Sequence, residues 1–244
     1  KLADPLIDLK LFRIAAFSAA LAVNILGFLT AFAAFLFIAQ YLQSVLGLSP
    51  LRAGLWSIPS ALAFIVGSMF TPAIVRRFPP AYVIAGGMAI SAAGFILLAL
   101  VDDAASQLAV LVVGSIVFSL GLTPVVTLTT DIVLSAAPPE RAGAASALSE
   151  TSSEFGGALG IAVMGSIVTA IYRGEIAGTF PPGVPAEAAE IARGTIGGAV
   201  SVASDLPDVI GAEVLDSARE AFAHAFGTTA AISAVIAMGV ALLA

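Results

Sequence analysis

The 244-residue sequence has no cysteine, a single histidine, His224, and few charged side chains. Without cysteine the chain can form neither disulfides nor thiolate metal sites, and one histidine argues against a zinc centre. Charged residues make up 11% of the sequence, against roughly 25% in an ordinary soluble domain. The basic stripes of nucleic-acid-binding proteins are also missing. These deficits disfavour a soluble protein, a metal site and a nucleic-acid partner.

Hydrophobic residues are correspondingly abundant, at 59% of the sequence. They form continuous runs, and a helix that crosses a bilayer needs about 20 such residues. The runs lack the alternation of a membrane barrel, so helices are predicted rather than strands. The predicted helices cover approximately residues 14–42, 53–75, 81–101, 107–134, 142–172 and 222–244. We therefore predict an all-α integral membrane protein in which residues 1–244 form a six-helix bundle.

The distribution of lysine and arginine predicts the orientation of these helices. The six-helix prediction places the following basic residues on one side of the membrane: Lys1, Lys10, Arg13, Arg76, Arg77 and Arg141. The other side receives Arg52, Arg173, Arg193 and Arg219, mostly in or beside one long loop. Because basic residues are enriched on the cytoplasmic side, both ends of the chain are predicted to be cytoplasmic, in the cell membrane. The first residues lack the pattern of a signal peptide and suggest a piece of a longer chain.

The long loop, residues 173–221, holds eight acidic residues and three arginines. Pro185 and Pro207 are typical of helix starts, so we predict two short helices that form an external acidic cap. Its charge could attract cations towards an outer opening. Alternatively, the acidic residues only keep the loop solvated.

Three carboxylates lie in or near the apolar runs: Asp131, Glu150 and Glu154. An ionisable group inside a bilayer is costly and is a candidate functional site. Thr151 to Glu154 match a capping box, which would start a helix near residue 152 and leave both glutamates at the interface. If the helix instead starts near Ala142, Glu150 and Glu154 lie about 12 Å and 18 Å along its axis, on one face.

Other residues are candidates for the surroundings of these acids. Gly157 and Ile161 continue the face of the two glutamates, with Gly160 beside it, and would leave space there. Aromatic rings attract organic cations, so Phe28, Phe32 and Phe35 on the first helix are candidates to line a cavity. Asn24 shares their helical face and is a candidate for the same reason of position. The aromatic residues could equally face lipid or pack in the core. His224 is expected at the boundary of the last helix.

Three stretches carry a resemblance to a known family: "PLIDLKLFR", "YLQSVLGLSPLRAGLWSIP" and "TTDIVLSAAPPERAGAASALSETSSEFGGALGIAVMGSI". They resemble the C-terminal half of fourteen-helix drug:proton antiporters of the major facilitator superfamily, the efflux pumps for quaternary ammonium compounds above all. The resemblance implies half of a major facilitator fold, built from two inverted three-helix repeats. It implies proton coupling and cation recognition by Asp131, Glu150 and Glu154. Arg141 is a candidate cytoplasmic gate with Asp131.

The expected partners are lipophilic cations, protons, membrane lipid and the N-terminal half of the same transporter. No cofactor is expected, because the proton gradient would drive transport. A desolvated carboxylate beside a like charge holds a proton readily, and a cation that competes with this proton couples the two fluxes. The alternatives are a proton-coupled exporter of a neutral or anionic metabolite and a membrane scaffold that transports nothing. An enzyme is not expected, since no nucleophile with a base or metal is evident.

Overall fold

The computed structural model describes residues 11–101, 107–178, 181 and 183–243. Throughout these residues the regular structure is helical. The helices are α1 (Ala15–Gln40), α2 (Pro50–Val75), α3 (Pro80–Ala99), α4 (Gln107–Ser135), α5 (Ala142–Ala177), α6 (Ala186–Gly194), α7 (Ile196–Asp205) and α8 (Asp208–Leu243). Lys1 and Lys10, which contributed to the predicted orientation, lie outside the described residues, as does most of "PLIDLKLFR".

Six of the described helices, α1 to α5 and α8, are long and apolar enough to cross a membrane. The all-helical class and the six-helix bundle are thus confirmed. The bounds of α2, α3 and α4 lie within three residues of the predicted ones. α1 ends at Gln40 and continues into a π-helical turn, Tyr41–Val45.

The prediction that the last helix starts at residue 222 is wrong. α8 starts at Asp208, directly after Pro207, and runs for 36 residues. Its first turns bury Gly211, Val214 and Ala218 and expose acidic residues, so this part is amphipathic. A hydropathy average includes the polar face and therefore misses such a helix. Since α5 also extends to Ala177, the segment between the two long helices is shorter than residues 173–221.

Two short helices, α6 and α7, occupy that segment, and we call them the cap. α6 begins after Pro185, as predicted, whereas the signal at Pro207 belongs to α8. The Tyr172 hydroxyl of α5 donates a 2.8 Å hydrogen bond to the carbonyl of Ala192 in the cap. Thr195, the one residue between α6 and α7, accepts a hydrogen bond from the Gly198 amide and so caps α7. The cap is thus fixed to the end of α5.

The bundle is organised around α1, which packs against α4, α5 and α8. α3 lies against α4 and α8, while α2 packs mainly against α4. Much of α2 is therefore exposed in the described chain, and its exposed surface is apolar. The largest exposed side chains of α2 are Leu51, Leu55, Ile58, Leu62, Ile65, Met69 and Phe70. Such a surface suits lipid or another membrane helix.

Glycines allow the closest helix contacts. A Cβ added to Gly156 would lie 2.5 Å from the Ile25 carbonyl oxygen of α1, and one added to Gly160 would overlap the Leu29 carbonyl. Gly87 and Gly121 form an equally tight contact between α3 and α4. Backbones approach this closely only where no side chain separates them, which is how membrane helices gain packing contacts.

Candidate functional site

The two glutamates lie well inside α5, which is continuous from Ala142 to Ala177. The capping box is therefore not a helix start. The Thr151 hydroxyl donates instead to the carbonyl of Ala147, four residues earlier, at 2.7 Å. At 1.5 Å per residue, Glu150 and Glu154 lie about 12 Å and 18 Å from the start of the helix, one turn apart.

Both glutamate side chains are exposed within the described part of the chain. They lie on the exposed side of α5, beside its contact with α1, which Gly156, Gly157 and Gly160 form. The uncovered face continues through Ala158 and Ile161. The two carboxylates are thus available to whatever lies against this face of the bundle.

A polar network among α1, α4 and α5 includes Ser153, the residue that precedes Glu154. Asn24 of α1 is 2% exposed. Its Nδ2 donates to Thr129 Oγ1 of α4 at 3.2 Å, and its Oδ1 accepts from Ser153 Oγ of α5 at 3.0 Å. One amide therefore joins three membrane helices, with both its donor and acceptor groups in use.

Sequence analysis selected Asn24 as a cavity-lining candidate but missed Thr129 and Ser153. Their position in the sequence could have identified them, because the hydroxyl of each residue lies within two residues of a carboxylate in an apolar run. Ser153 directly precedes Glu154, and Thr129 lies two residues before Asp131. The network thus connects the neighbourhoods of both predicted acidic sites.

Asp131 lies in the last two turns of α4, four residues before its end at Ser135, and is exposed. Arg141 belongs to a short 3₁₀ turn, Pro139–Arg141, directly before α5. Both residues are therefore near the junction of α4 and α5. The gate between them stays a prediction.

The aromatic candidates of α1 have different neighbours. Phe28 and Phe32 are half-buried, with ring centroids 5.8 Å apart. The Phe32 ring contacts Gly157, where an added Cβ would lie 2.8 Å from the ring. The space expected beside the acids at Gly157 is thus filled by an aromatic side chain. Phe35 is 44% exposed and packs on Phe118, 5.1 Å away.

His224 does not begin a helix, because it lies in the middle of α8. Its Nδ1 is 3.0 Å from the Glu175 carboxylate near the end of α5. Both side chains are more than half exposed, so the contact links α5 and α8 only weakly. Glu175 lies 21 residues beyond Glu154, or about 31 Å along the helix, and is therefore separate from the acidic pair.

Comparison with known proteins finds relatives over nearly the whole chain. It is 35% identical over 239 residues to the "Multidrug efflux pump LfrA" of Mycolicibacterium smegmatis, covering 98% of this chain and 47% of that protein. It is 31% identical over 242 residues to the "Methyl viologen resistance protein SmvA" of Salmonella typhimurium, covering 98% and 48%. The chain spans about half the length of these curated relatives.

Two further comparisons concern the fold and the family. The chain is similar to a bacterial homolog of the human lysosomal transporter Spinster, crystallised in an inward-facing, unoccupied conformation. The TM-score is 0.68 with 19% identity, covering 100% of this chain and 51% of that chain, so this likeness concerns the fold alone. Residues 2–161 match the Major Facilitator Superfamily. Since this match extends over more than half of the sequence and agrees with the fold, the chain belongs to the Major Facilitator Superfamily of transporters.

Proposed function

We propose that the chain is the C-terminal half of a fourteen-helix multidrug efflux transporter that exports lipophilic or quaternary ammonium cations in exchange for protons. The relatives named as efflux and resistance proteins support drug export. The observation that carries the cation and proton parts is the pair Glu150 and Glu154, one turn apart on the uncovered face of α5.

The missing half of the transporter would cover this face. Two exposed carboxylates on a membrane helix favour a water-filled cavity or a protein neighbour over lipid. The exposed apolar surface of α2 is compatible with such a protein neighbour as well as with lipid. An N-terminal half against α2 and α5 would place Glu150 and Glu154 in a cavity between the halves, where transporters of this kind bind their substrates.

Exchange at this cavity follows from competition between charges. Two ionised carboxylates one turn apart repel each other, and either a proton or a bound cation relieves this repulsion. A lipophilic cation stabilises the ionised pair and the proton leaves. A proton that returns from the outside neutralises the pair and releases the cation. By linkage, the cation weakens proton binding as much as the proton weakens cation binding.

The other residues have supporting roles in this proposal. Glu154 is the main coupling acid with Glu150 as its partner, and Asp131 is a second protonation site nearer the cytoplasmic end. Phe28 and Phe32 offer ring faces to an organic cation near the acids. Both ends of the chain are cytoplasmic in the cell membrane, lipid surrounds the outer helices, and the proton gradient replaces any cofactor.

Proton release tests the proposal. Tetraphenylphosphonium is added to the full-length transporter, purified in detergent in an unbuffered solution, and the release of protons is measured at a series of starting pH values. We expect the wild type to release protons and Glu154→Gln to release few or none, because the amide has no proton to exchange. The matched control is Glu190→Gln, which removes an exposed carboxylate of the cap and should release protons as the wild type does.

Two results would contradict the proposal. If the wild type neither binds the cation nor releases protons, a neutral or anionic metabolite becomes the better substrate class. If Glu154→Gln releases as many protons as the wild type, coupling belongs to other residues.

A further inference from the structure

A cavity of about 410 Å³ lies between the cap and the adjoining ends of α1 and α5. Its walls include Phe37 and Gln40 of α1, Gly165 and Thr169 of α5, and Thr195 between the cap helices. We call it the cap pocket. Its volume is within the range of pockets that hold drug-sized ligands.

The cap pocket continues the face that carries the acids. Along α5, Ile161, Gly165 and Thr169 follow Glu154 at intervals of seven, four and four residues, and such intervals keep residues on one helix face. Gly165 is 11 residues beyond Glu154, or about 16 Å along the axis. A solute that moves along this face from the acidic pair therefore reaches the cap pocket.

The lining of the cap pocket differs from the acidic pair in charge. Among its described lining residues no side chain is ionised at neutral pH, and the polar ones are amide or hydroxyl groups. Phe37, Tyr172 and Phe222 also line the pocket but are only 2–4% exposed. A lipophilic cation therefore meets mainly the exposed Leu36 and Ile161 and the neutral polar groups, without a proton exchange. Arg173 lines an adjoining groove that shares Gly165 and Thr169 with the pocket, and its charge lowers the affinity for a cation.

We propose that the cap pocket is a second subsite for the transported lipophilic cation, occupied after the cation leaves the glutamates. This inference rests on the proposed function. Because none of the described residues of the cap pocket is a carboxylate, a proton does not compete with a cation at those residues, so a cation displaced by protonation of Glu154 can stay bound there. Its affinity is weaker than that of the acidic pair and does not depend on pH.

Gly165 offers a direct way to fill the cap pocket. A Cβ added at Gly165 meets nothing within 4 Å, so a larger residue extends into open space. Gly174 is a matched control on the same helix, since its Cβ also meets nothing within 4 Å. It lies nine residues further on, on the opposite face of α5, and does not line the cap pocket.

The experiment measures binding of radiolabelled tetraphenylphosphonium and proton release for the full-length transporter in detergent. Glu154→Gln should lose the proton-coupled binding and keep a weaker component that is the same from pH 6 to pH 8. Adding Gly165→Leu to this variant should weaken that component at least tenfold, and adding Gly174→Leu should leave it unchanged. Gly165→Leu alone should still release protons. Gly165→Ala, which fills less of the cap pocket, should have an intermediate effect.

The outcomes separate this inference from the proposed function. A wild type that releases no protons refutes the proposed function. If the wild type releases protons but Gly165→Leu and Gly174→Leu bind the cation equally well in the Glu154→Gln background, the second subsite is refuted alone. The same holds if Glu154→Gln retains no binding. A melting temperature for each variant shows whether lost binding reflects lost folding.

Discussion

Replacing Gly160 by alanine should separate α1 from α5 and disturb the polar network between them. The added Cβ would overlap the backbone carbonyl of Leu29, and ordinary contacts of a Cβ lie at 3.4–4 Å. A backbone atom cannot rotate away as a side chain can. The two helices must therefore move apart by about 1 Å, which forfeits much of the dispersion energy of the contact.

The size of the effect follows from packing and from one hydrogen bond. Overpacking of a well-packed contact typically costs about 1–3 kcal/mol. The hydrogen bond from Ser153 to Asn24 is 3.0 Å long, and a separation of about 1 Å would break it, which costs about 0.6 kcal/mol more in a membrane protein. Each 1 kcal/mol lowers the melting temperature of a unit of 150–250 residues by about 2–4 °C, and the shift is smaller in a longer chain such as the full-length transporter.

The assay is thermal unfolding of the full-length transporter in detergent, followed by circular dichroism. Gly143→Ala is the control on the same helix, because its Cβ meets nothing within 4 Å. There alanine should be neutral or stabilise by up to about 1 kcal/mol through its higher helix propensity. Equal melting temperatures for Gly160→Ala and Gly143→Ala would refute the close contact between α1 and α5.

Other substitutions test the network and the cap. Asn24→Leu should destabilise by about 1 kcal/mol, since it removes two hydrogen bonds at about 0.6 kcal/mol each. A double-mutant cycle with Ser153→Ala in the unfolding assay should give a coupling of about 0.6 kcal/mol, and a coupling of zero would contradict the contact. Thr195→Val should destabilise the cap by about 1 kcal/mol through loss of the α7 N-cap and speed its proteolysis, whereas Ser201→Val, at an exposed position of α7, should not.

The sequence predicted the six long helices because their signal is local and strong. A span of about 20 apolar residues between proline-rich breaks has few alternatives to a helix in a membrane. The sequence-based prediction was wrong at the start of α8. Burial there depends on contacts with α7, which an average of hydropathy over neighbouring residues does not include. Gly211 shows this, because an added Cβ would meet the Ala203 carbonyl of α7.

The candidate site was only partly predictable for a related reason. The spacing of Glu150 and Glu154 is a property of one helix and could be read from the sequence. The contacts of Asn24 with Thr129 and Ser153 join residues more than 100 positions apart, and no periodicity reports such pairs. Likewise, the glycines beside the acids could have left a cavity or admitted another helix. Only the position of α1 distinguishes these outcomes.

The arrangement separates groups that hold the helices from groups that can change charge. Asn24, Thr129 and Ser153 are neutral at any physiological pH, so the contacts that they make among α1, α4 and α5 do not depend on protonation. Glu154 and Asp131 lie beside this network but on exposed positions. In the proposed exchange, a proton gained or lost at Glu154 changes the charge of the uncovered face and removes no donor or acceptor of the network. This separation suits the proposed mechanism, in which each half stays rigid while the two halves rock against each other.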